Sequence, residues 1–462
     1  MIRLYNTLTR QEEEFRPLHE GKVSLYTCGP TVYWFAHIGN MRAFLFADIL
    51  RRTLEVNGYE VKMVMNITDV GHLTSDMDEG EDKMIVAMQR EGKTAREIAQ
   101  VYTDAFLADV DRLNIKRANL YPKATEHIPE QIEMIQSLEK NGFTYRTSDG
   151  IYFDTSKLDS YGRLSGQKGE EKLAGARVGM GEKRYATDFA LWKFSPAHST
   201  REMQWNSPWG IGFPGWHIEC SAMSMKYLDV PFDIHTGGVD HIAVHHENEI
   251  AQTQGAEGVL EANLWMHSEF LTVDQGKMSK SLGNLYTVAD LIERGYDPLA
   301  YRYLVLGAHY RSKLNFTFEA LDAAHNALTK LRETIRDWDE PDIGCAELEE
   351  KFFASLNDDL NTPQALAVLW ELVNADLPTG AKAESLLKMD RVLGLRLKTV
   401  LGQALDVPQD VQRLVDERET ARGNKDWKRS DELRVAVEAL GYLVEDTAQG
   451  PHIKKHSPTV VK

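Results

Sequence analysis

The sequence is organised around residues 23–40, VSLYTCGPTVYWFAHIGN. Its first five residues are mostly apolar or β-branched, which predicts a buried strand that ends just before Cys28. The apolar residues of positions 41–50 recur at helical spacing, so a helix is expected to begin close to His37. The backbone N–H groups of a helix start suit a phosphate, and a thiol suits a soft metal ion. The stretch therefore predicts a nucleotide and a metal in one pocket.

The flanking chain alternates strand and helix patterns. Positions 59–67 have the composition of a second strand, which Thr68 follows. A strand, a helix and a strand of this length predict a parallel sheet, whose ligands bind at the carboxyl ends of the strands, where Cys28 and Thr68 fall. Further along, the patterns predict helices at 92–140, short strands with glycine-rich turns at 143–193, and helices over most of 322–440.

Composition limits the classes of function. The 462 residues carry a formal net charge of −17, which argues against loose nucleic-acid binding but leaves room for a shaped RNA site with a local basic face. We find no run of 18 apolar residues, expect no signal peptide, and take the three cysteines as typical of a reducing compartment. These features predict a cytoplasmic protein without a membrane segment. The acidic run at 74–83 lacks EF-hand spacing and is interpreted as a solvated loop.

Two thiols, an imidazole and a carboxylate are candidates for a metal site. Cys28 follows the first strand, Cys220 lies far along the chain, and His245 and Glu249 share one face of a predicted helix. This donor set suits zinc. Because the four residues are scattered, the opposite interpretation stays open, in which both cysteines are buried small apolar residues, as free cysteines usually are.

Two segments are candidates for binding a nucleotide. In GKMSKSLGN, residues 276–284, Lys277 and Lys280 stand among small residues, and their ammonium groups can follow a pyrophosphate if the loop moves. In a second segment, Gly238 allows a ligand to approach the backbone, and Asp240 can accept a ribose hydroxyl. Taken alone, the first segment fits a solvated loop and the second an ordinary turn.

HIGN at 37–40, followed by KMSKS at 277–281, resembles the paired signatures of class I aminoacyl-tRNA synthetases. Further motifs narrow the resemblance to the cysteinyl-tRNA synthetases over essentially the whole chain. They are YTCGPTVY at 26–33, YATDFALWK at 185–193, GWHIECS at 215–221, HHENE at 245–249, HYRS at 309–312, DDLNTP at 358–363 and EDTAQG at 445–450. Four departures from the family pattern are present. Asn40 replaces a common His, Thr236 a usual Gly, and Phe213 a common Arg, and Gly71-His72 stand where an acidic pair is commoner.

The resemblance implies one zinc ion per subunit, which binds the thiolate of the substrate cysteine directly. The implied zinc ligands are Cys28, Cys220, His245 and Glu249. Trp216 matches the residue that closes over the bound amino acid, and Thr31 and Thr68 lie in the same substrate pocket of the family.

The resemblance also implies which residues contact ATP, a substrate that Mg²⁺ accompanies. Those of the first signature are His37, Gly39 and Asn40, and those after the later strand are Gly238 and Asp240. Lys280 matches the lysine that steadies the transferring phosphate, and Lys277 assists it. The residues expected to carry catalysis are His37, Asn40, Lys277 and Lys280.

The implied architecture is an α/β chain with a Rossmann-type parallel-sheet catalytic domain, an inserted module, a helical bundle and a small mixed C-terminal domain. The expected boundaries are 1–120 for the first half of the catalytic domain, 121–203 for the inserted module, 204–300 for the second half with KMSKS, 301–405 for a tRNA-binding helical stem and bundle, and 406–462 for an anticodon-binding domain.

The implied activity is the ATP-dependent activation of L-cysteine to cysteinyl-adenylate and its transfer to the 3′ end of tRNA(Cys), by an enzyme that is commonly monomeric. One alternative is a ligase that joins cysteine to a small amine, as in mycothiol synthesis. Such ligases tend to end soon after the helical region, whereas residues 401–462 continue here. A binding paralogue without activity is the other alternative, but such proteins usually lose a metal ligand or the second signature, and both are intact.

Overall fold

The computed structural model describes residues 1–71, 83–166, 182–196, 201–276, 284–403, 405–447 and 450–455. The chain starts with an antiparallel hairpin of β1 (Arg3–Asn6) and β2 (Gln11–Glu14). The expected strand–helix–strand unit follows as β3 (Lys22–Thr27), α1 (Ile38–Val56) and β4 (Glu60–Met65). Strands β3 and β4 are parallel, as predicted.

A long insertion separates this unit from the second half of the sheet. Its described residues include the helices α2 (Lys83–Glu91), α3 (Ala95–Arg112) and α4 (Ile128–Lys140). An antiparallel sheet follows, in the order of its strands β5 (Thr144–Arg146), β6 (Gly150–Phe153), β7 (Phe189–Phe194) and β8 (Gly212–Pro214). The strands predicted at 143–193 are therefore confirmed.

The chain then returns to the parallel sheet through α5 (Trp216–Leu228), β9 (Phe232–Gly238), α6 (His245–Glu257) and β10 (Ala262–Ser268). The strand order is β10-β9-β3-β4, all parallel. Thr27 pairs with Thr236, so β3 and β9 end side by side. Because ligands of parallel sheets bind at the carboxyl ends of strands, this edge is where a site is expected.

A short parallel pair follows the sheet, formed by β11 (Leu271–Val273) and β12 (Leu314–Phe316), with α7 (Val288–Glu293) and α8 (Pro298–Leu306) between them in sequence. The buried guanidinium of Arg42 connects α1 with the segments that precede β11 and β12. It donates to the backbone carbonyls of Glu269, Phe270, His309 and Ser312.

The rest of the chain is helical up to its last two strands. The helices are α9 (Phe318–Arg336), α10 (Ala346–Asn357), α11 (Thr362–Asn374), α12 (Thr379–Leu393), α13 (Gln409–Gly423) and α14 (Trp427–Ala439), and the strands are β13 (Tyr442–Thr447) and β14 (Gly450–Lys455). The last two helices form the expected hairpin, packed through Val411, Val415 and Val437 against Val444 of β13.

The chain divides into two compact units. The first comprises Met1–Thr287, Val305–Thr317 and Phe353–Ala365 and contains the parallel sheet; the second comprises Val288–Leu304, Phe318–Phe352 and Leu366–Lys462. The α/β fold with an inserted module and a helical C-terminal region agrees with the sequence prediction. Within the described residues, no helix has both the length and the apolar composition needed to cross a membrane.

Candidate active site and metal centre

Four ligand-type side chains converge where β3 and β9 end. Cys28 directly follows β3, and its backbone N–H donates to the Thr236 carbonyl at 3.3 Å. Cys220 comes from the second turn of α5, and His245 and Glu249 come from α6. The ligand atoms of these four residues all lie within 4.8 Å of one another, and all four residues are buried. Residues scattered over more than 220 positions therefore form one cluster.

Two of the four groups are held in the charged form that binds a metal ion. Burial and the neighbouring Cys220 raise the pKa of the Cys28 thiol well above its usual range, whereas the hydrogen bond with Cys28 lowers the pKa of Cys220. Burial works against the charged form of His245, but Glu249 and Cys220 outweigh it and raise its pKa. Burial likewise opposes the Glu249 carboxylate, but His245 and His235 lower its pKa. Cys220 thiolate and Glu249 carboxylate are the forms that a metal ion binds.

A second set of donors lies against the first. His246 Nε2 is 3.3 Å from Cys28 Sγ, and His235 Nε2 is 2.7 Å from Glu249 Oε2. These four residues also place their ligand atoms within 4.8 Å of one another. The set that includes Cys220 supplies two sulfurs, which suits zinc better than the set with one. The side chains present thus fit a zinc ion.

The candidate ligand His245 is held from both sides. His217 Nδ1 lies 2.9 Å from His245 Nδ1, so the Nε2 atom of His245 is turned towards Glu249 Oε1, at 2.7 Å. The Trp216 ring stacks on His245 with 4.3 Å between ring centroids. A partner on the second ring nitrogen fixes the tautomer and orientation of a ligating histidine.

One cavity of about 470 Å³ connects the cluster with the other predicted site residues. Its walls include Cys28, Cys220 and His245 from the metal cluster, Thr31, Thr68 and Trp216 from the predicted amino-acid pocket, and His37, Gly39, Asn40, Gly238 and Asp240 from the predicted ATP site. Lys277 and Lys280 lie outside the described residues. Glu249 is fully buried and is not part of the cavity wall.

The start of α1 lies in this cavity wall and has a closed N-terminal cap. His37 Nδ1 accepts a hydrogen bond from the Asn40 N–H, and Asn40 Oδ1 accepts one from the His37 N–H, each at 3.1 Å. Burial lowers the pKa of His37. A neutral ring whose Nδ1 accepts carries its proton on Nε2, which leaves that N–H available to a ligand.

The other side of the cavity depends on close backbone packing. Thr31 forms an isolated parallel bridge with Thr68, and the Val32 N–H donates to the Thr68 carbonyl at 3.1 Å. A Cβ at Gly29 would stand 1.7 Å from the Asn66 carbonyl oxygen, so only glycine fits there. The close approach of Gly29 to the Asn66 backbone places the segment after β3 across the end of β4.

Comparison with known proteins agrees with this geometry. The family model of the tRNA synthetases class I (C) catalytic domain matches residues 14–326, a DALR domain matches 351–398, and a cysteinyl-tRNA ligase anticodon binding domain matches 405–453. A cysteine–tRNA ligase 1 of Burkholderia lata is 53% identical over 98% of this chain and 96% of its own length. A cysteine–tRNA ligase of Treponema denticola is 44% identical over 97% of this chain and 98% of its own length.

The chain belongs to the cysteine–tRNA ligase family. Solved structures with the same fold include a LeuRS of Agrobacterium radiobacter K84 in a ternary complex with tRNA, which has a TM-score of 0.57 at 13% identity and covers 84% of this chain and 85% of its own. A methionyl-tRNA synthetase of Mycobacterium tuberculosis has a TM-score of 0.54 at 13% identity and covers 81% and 90%.

As a cysteine–tRNA ligase family member, the chain accommodates three of its departures from the pattern locally. Asn40 completes the cap of α1 through its side-chain oxygen. The hydroxyl of Thr236 bonds that of Thr27 at 2.8 Å between neighbouring strands. The guanidinium carbon of Arg201 lies 3.4 Å from the centre of the Phe213 ring. Arg201 therefore supplies a positive charge beside this position.

Two residues of the site were not identified from the sequence. His235 of β9 pairs with Tyr26 of β3, two residues before Cys28, and from there it reaches Glu249. The sequence does not reveal this register. In the sequence His217 stands out only as part of the GWHIECS motif, and its contact with His245 depends on how α5 and α6 pack. The one signal was its place three residues before Cys220, on the same helix.

Proposed function

We propose that this chain activates L-cysteine with ATP and transfers it to the 3′ end of tRNA(Cys), and that a zinc ion selects the substrate thiol. The single observation that carries the proposal is that a two-sulfur donor cluster and a capped helix start line the same cavity of about 470 Å³. An amino acid whose side chain is bound at the cluster would meet an ATP whose triphosphate is bound at the helix start.

In the first step, the carboxylate of cysteine attacks the α-phosphorus of ATP and pyrophosphate leaves. No side chain needs to act as a nucleophile, so positioning and charge stabilisation carry the rate. The backbone N–H groups at the start of α1 and the Nε2–H of His37 suit the phosphates of ATP, which Mg²⁺ accompanies. Asp240 suits the ribose hydroxyls, and Lys277 and Lys280 of the second signature stabilise the leaving pyrophosphate.

Selection between cysteine and serine needs more than shape, because an apolar pocket separates near-isosteres only about 10- to 200-fold. Zinc at Cys28, Cys220, His245 and Glu249 would supply a soft Lewis acid that binds a thiolate in preference to a hydroxyl. Trp216, stacked on His245, covers the same end of the cavity and would exclude water from the bound side chain.

The second step requires tRNA. The match of residues 405–453 to an anticodon-binding domain supports tRNA as the acceptor over the small amine of the alternative ligase. The basic residues of the last helices support it too, although several pair with acids, as Arg413 does with Glu417. We further propose that the protein acts in the cytoplasm as a monomer.

The test is ATP–pyrophosphate exchange on the zinc-replete protein, with cysteine and serine in parallel. The proposal expects exchange with cysteine, a preference over serine well above 200-fold, and loss of exchange in Cys220→Ser. Cys345→Ser is the matched control, because Cys345 is the cysteine outside the cluster, and it should retain activity. A preference below 200-fold, or a fully active Cys220→Ser protein, would contradict selection by zinc.

A further inference from the structure

A second aromatic cluster lines the same cavity and has no part in the mechanism above. Trp34 and Phe35 precede the first signature, and Tyr102 comes from α3. Phe35 contacts Tyr102 edge to face with ring centroids 4.9 Å apart, and Trp34 lies 5.9 Å from Phe35 and 6.0 Å from Tyr102. Phe35 remains 44% exposed, so one face of its ring is open to a ligand.

Arg90 contacts several members of the cluster. The Arg90 guanidinium lies 3.8 Å from the centre of the Trp34 ring, and it also donates to the Tyr102 hydroxyl at 3.1 Å and the Tyr33 carbonyl at 3.4 Å. Lys83 lies 5.6 Å from the Tyr33 ring centre. The exposed ring of Phe35 therefore belongs to an aromatic surface. Arg90, which is paired with Glu91, lies against Trp34 and Tyr102, and Lys83 lies near Tyr33.

The segment that leads to Phe35 and the proposed ribose contact at Asp240 follow from different strands of the sheet. Thr31 and Val32 pair with Thr68, so the segment before Phe35 runs across the end of β4. Gly238 and Asp240 follow β9, which lies on the opposite side of β3. Phe35 lies two residues before His37, so the aromatic surface adjoins the phosphate end of the proposed ATP site within the same cavity.

We infer that Phe35 stacks on an unpaired base at the 3′ end of the tRNA and holds the terminal ribose at the activated carbonyl. Proteins bind single-stranded bases by stacking them on aromatic side chains, with cations close to the phosphates, and the arrangement tolerates any base. Phe35 is then a substrate-contacting residue of the transfer step. The inference rests on the proposed function, because it needs a bound adenylate and a tRNA acceptor.

The experiment separates the two steps. Phe35→Leu keeps most of the apolar volume but removes the ring, Phe35→Tyr keeps the ring, and Ile211→Ala is the control for trimming an exposed apolar side chain outside the cavity. Pyrophosphate exchange without tRNA measures activation. Single-turnover transfer from preformed enzyme-bound cysteinyl-adenylate to tRNA(Cys) measures the second step.

The inference expects Phe35→Leu to slow transfer about 5- to 150-fold, which corresponds to the ~1–3 kcal/mol of one base–aromatic stack. Exchange should stay within twofold of wild type, and Phe35→Tyr and Ile211→Ala should transfer normally. With tRNAs that carry an abasic nucleotide at the terminal or the penultimate position, the difference between Phe35→Leu and wild type should vanish for one of the two.

Three outcomes would overturn the inference. Transfer by Phe35→Leu at the wild-type rate would show that the ring has no role in the transfer step. A raised KM for ATP in exchange, with normal transfer, would assign the ring to the adenine of ATP. A difference that persists with both abasic tRNAs would exclude stacking on those bases. Absence of cysteine-dependent exchange in the wild type is a separate result, because it refutes the proposed function itself.

Discussion

Replacing His217 by phenylalanine should weaken zinc binding without touching a ligand. His217 is buried, and its Nδ1 is 2.9 Å from the Nδ1 of His245. Phenylalanine fills a similar volume but offers no ring nitrogen, so the ring of His245 loses the partner that turns its Nε2 towards Glu249. Removal of such a partner typically lowers metal affinity about 10- to 100-fold. At about 1.4 kcal/mol per decade, the expected loss is about 1.4–2.8 kcal/mol.

The assay is competition for zinc against a chromophoric chelator at fixed pH, with unfolding followed in parallel. His127→Phe is the matched control, because His127 is equally buried but binds Tyr227 and the Lys123 carbonyl, away from the cluster. Both variants should lose stability, since each leaves buried polar partners unsatisfied. Only His217→Phe should lose zinc affinity. Equal zinc affinity in the two variants would refute the assignment of His217 as the residue that orients His245.

Three further changes have expected outcomes. Gly29→Ala should cost about 1–3 kcal/mol or more in unfolding free energy, because the new Cβ meets the Asn66 carbonyl; an unchanged urea midpoint would contradict this. Arg42→Lys should cost at least about 2 kcal/mol and slow pyrophosphate exchange, because an ammonium cannot reach the carbonyls that the guanidinium fork joins; wild-type exchange and melting would contradict it. The hydrogen bond from Arg418 lowers the pKa of Asp446, so this pair stabilises the native state above about pH 4 and less as pH falls below it. Asp446→Asn should therefore flatten the acid limb of stability, by less than about 1 kcal/mol because the carboxylate is partly exposed; an unaltered acid limb would contradict the pairing.

Local patterns predicted the sheet and the start of the site well. The run before Cys28 is a strand because Val23, Leu25 and Tyr26 are buried where β3 lies between β9 and β4 in the sheet. The helix begins at Ile38 because His37 and Asn40 cap each other. The hairpin of α13 and α14 was visible because its turn at 423–425 interrupts two helical periods. The local pattern sufficed in each case, although β3 pairs with strands that are 38 and 209 residues away.

Contacts between distant segments could not be predicted in the same way. The meeting of Cys28, Cys220 and His245 was expected from a family resemblance, because nothing in the spacing of these residues requires it. His235 and His217 take part through strand register and helix packing, which depend on long-range geometry. The hairpin of β1 and β2 was also missed, because QEEE has the composition of a polar loop and becomes a strand only by pairing with Arg3–Asn6.

The structure also explains a departure that the sequence left open. Phe213 had no explanation where the family pattern has a common arginine. It lies against the guanidinium of Arg201, which also donates to the Gly71 carbonyl just after the Thr68 loop. A cation twelve residues away in sequence therefore occupies the space beside this ring. No residue-by-residue comparison of sequence patterns would find such an exchange, because the two positions do not align.

The most direct test of the account is aminoacylation of tRNA(Cys) by the zinc-replete protein, followed on acid gels with cysteine and serine in separate reactions. The account predicts that cysteine is esterified to the tRNA, that serine is not, and that removal of zinc with a chelator abolishes charging while the protein stays folded. Charging with cysteine that persists at the same rate in the metal-free protein would contradict the claim that the Cys28–Cys220–His245–Glu249 cluster selects the substrate through zinc.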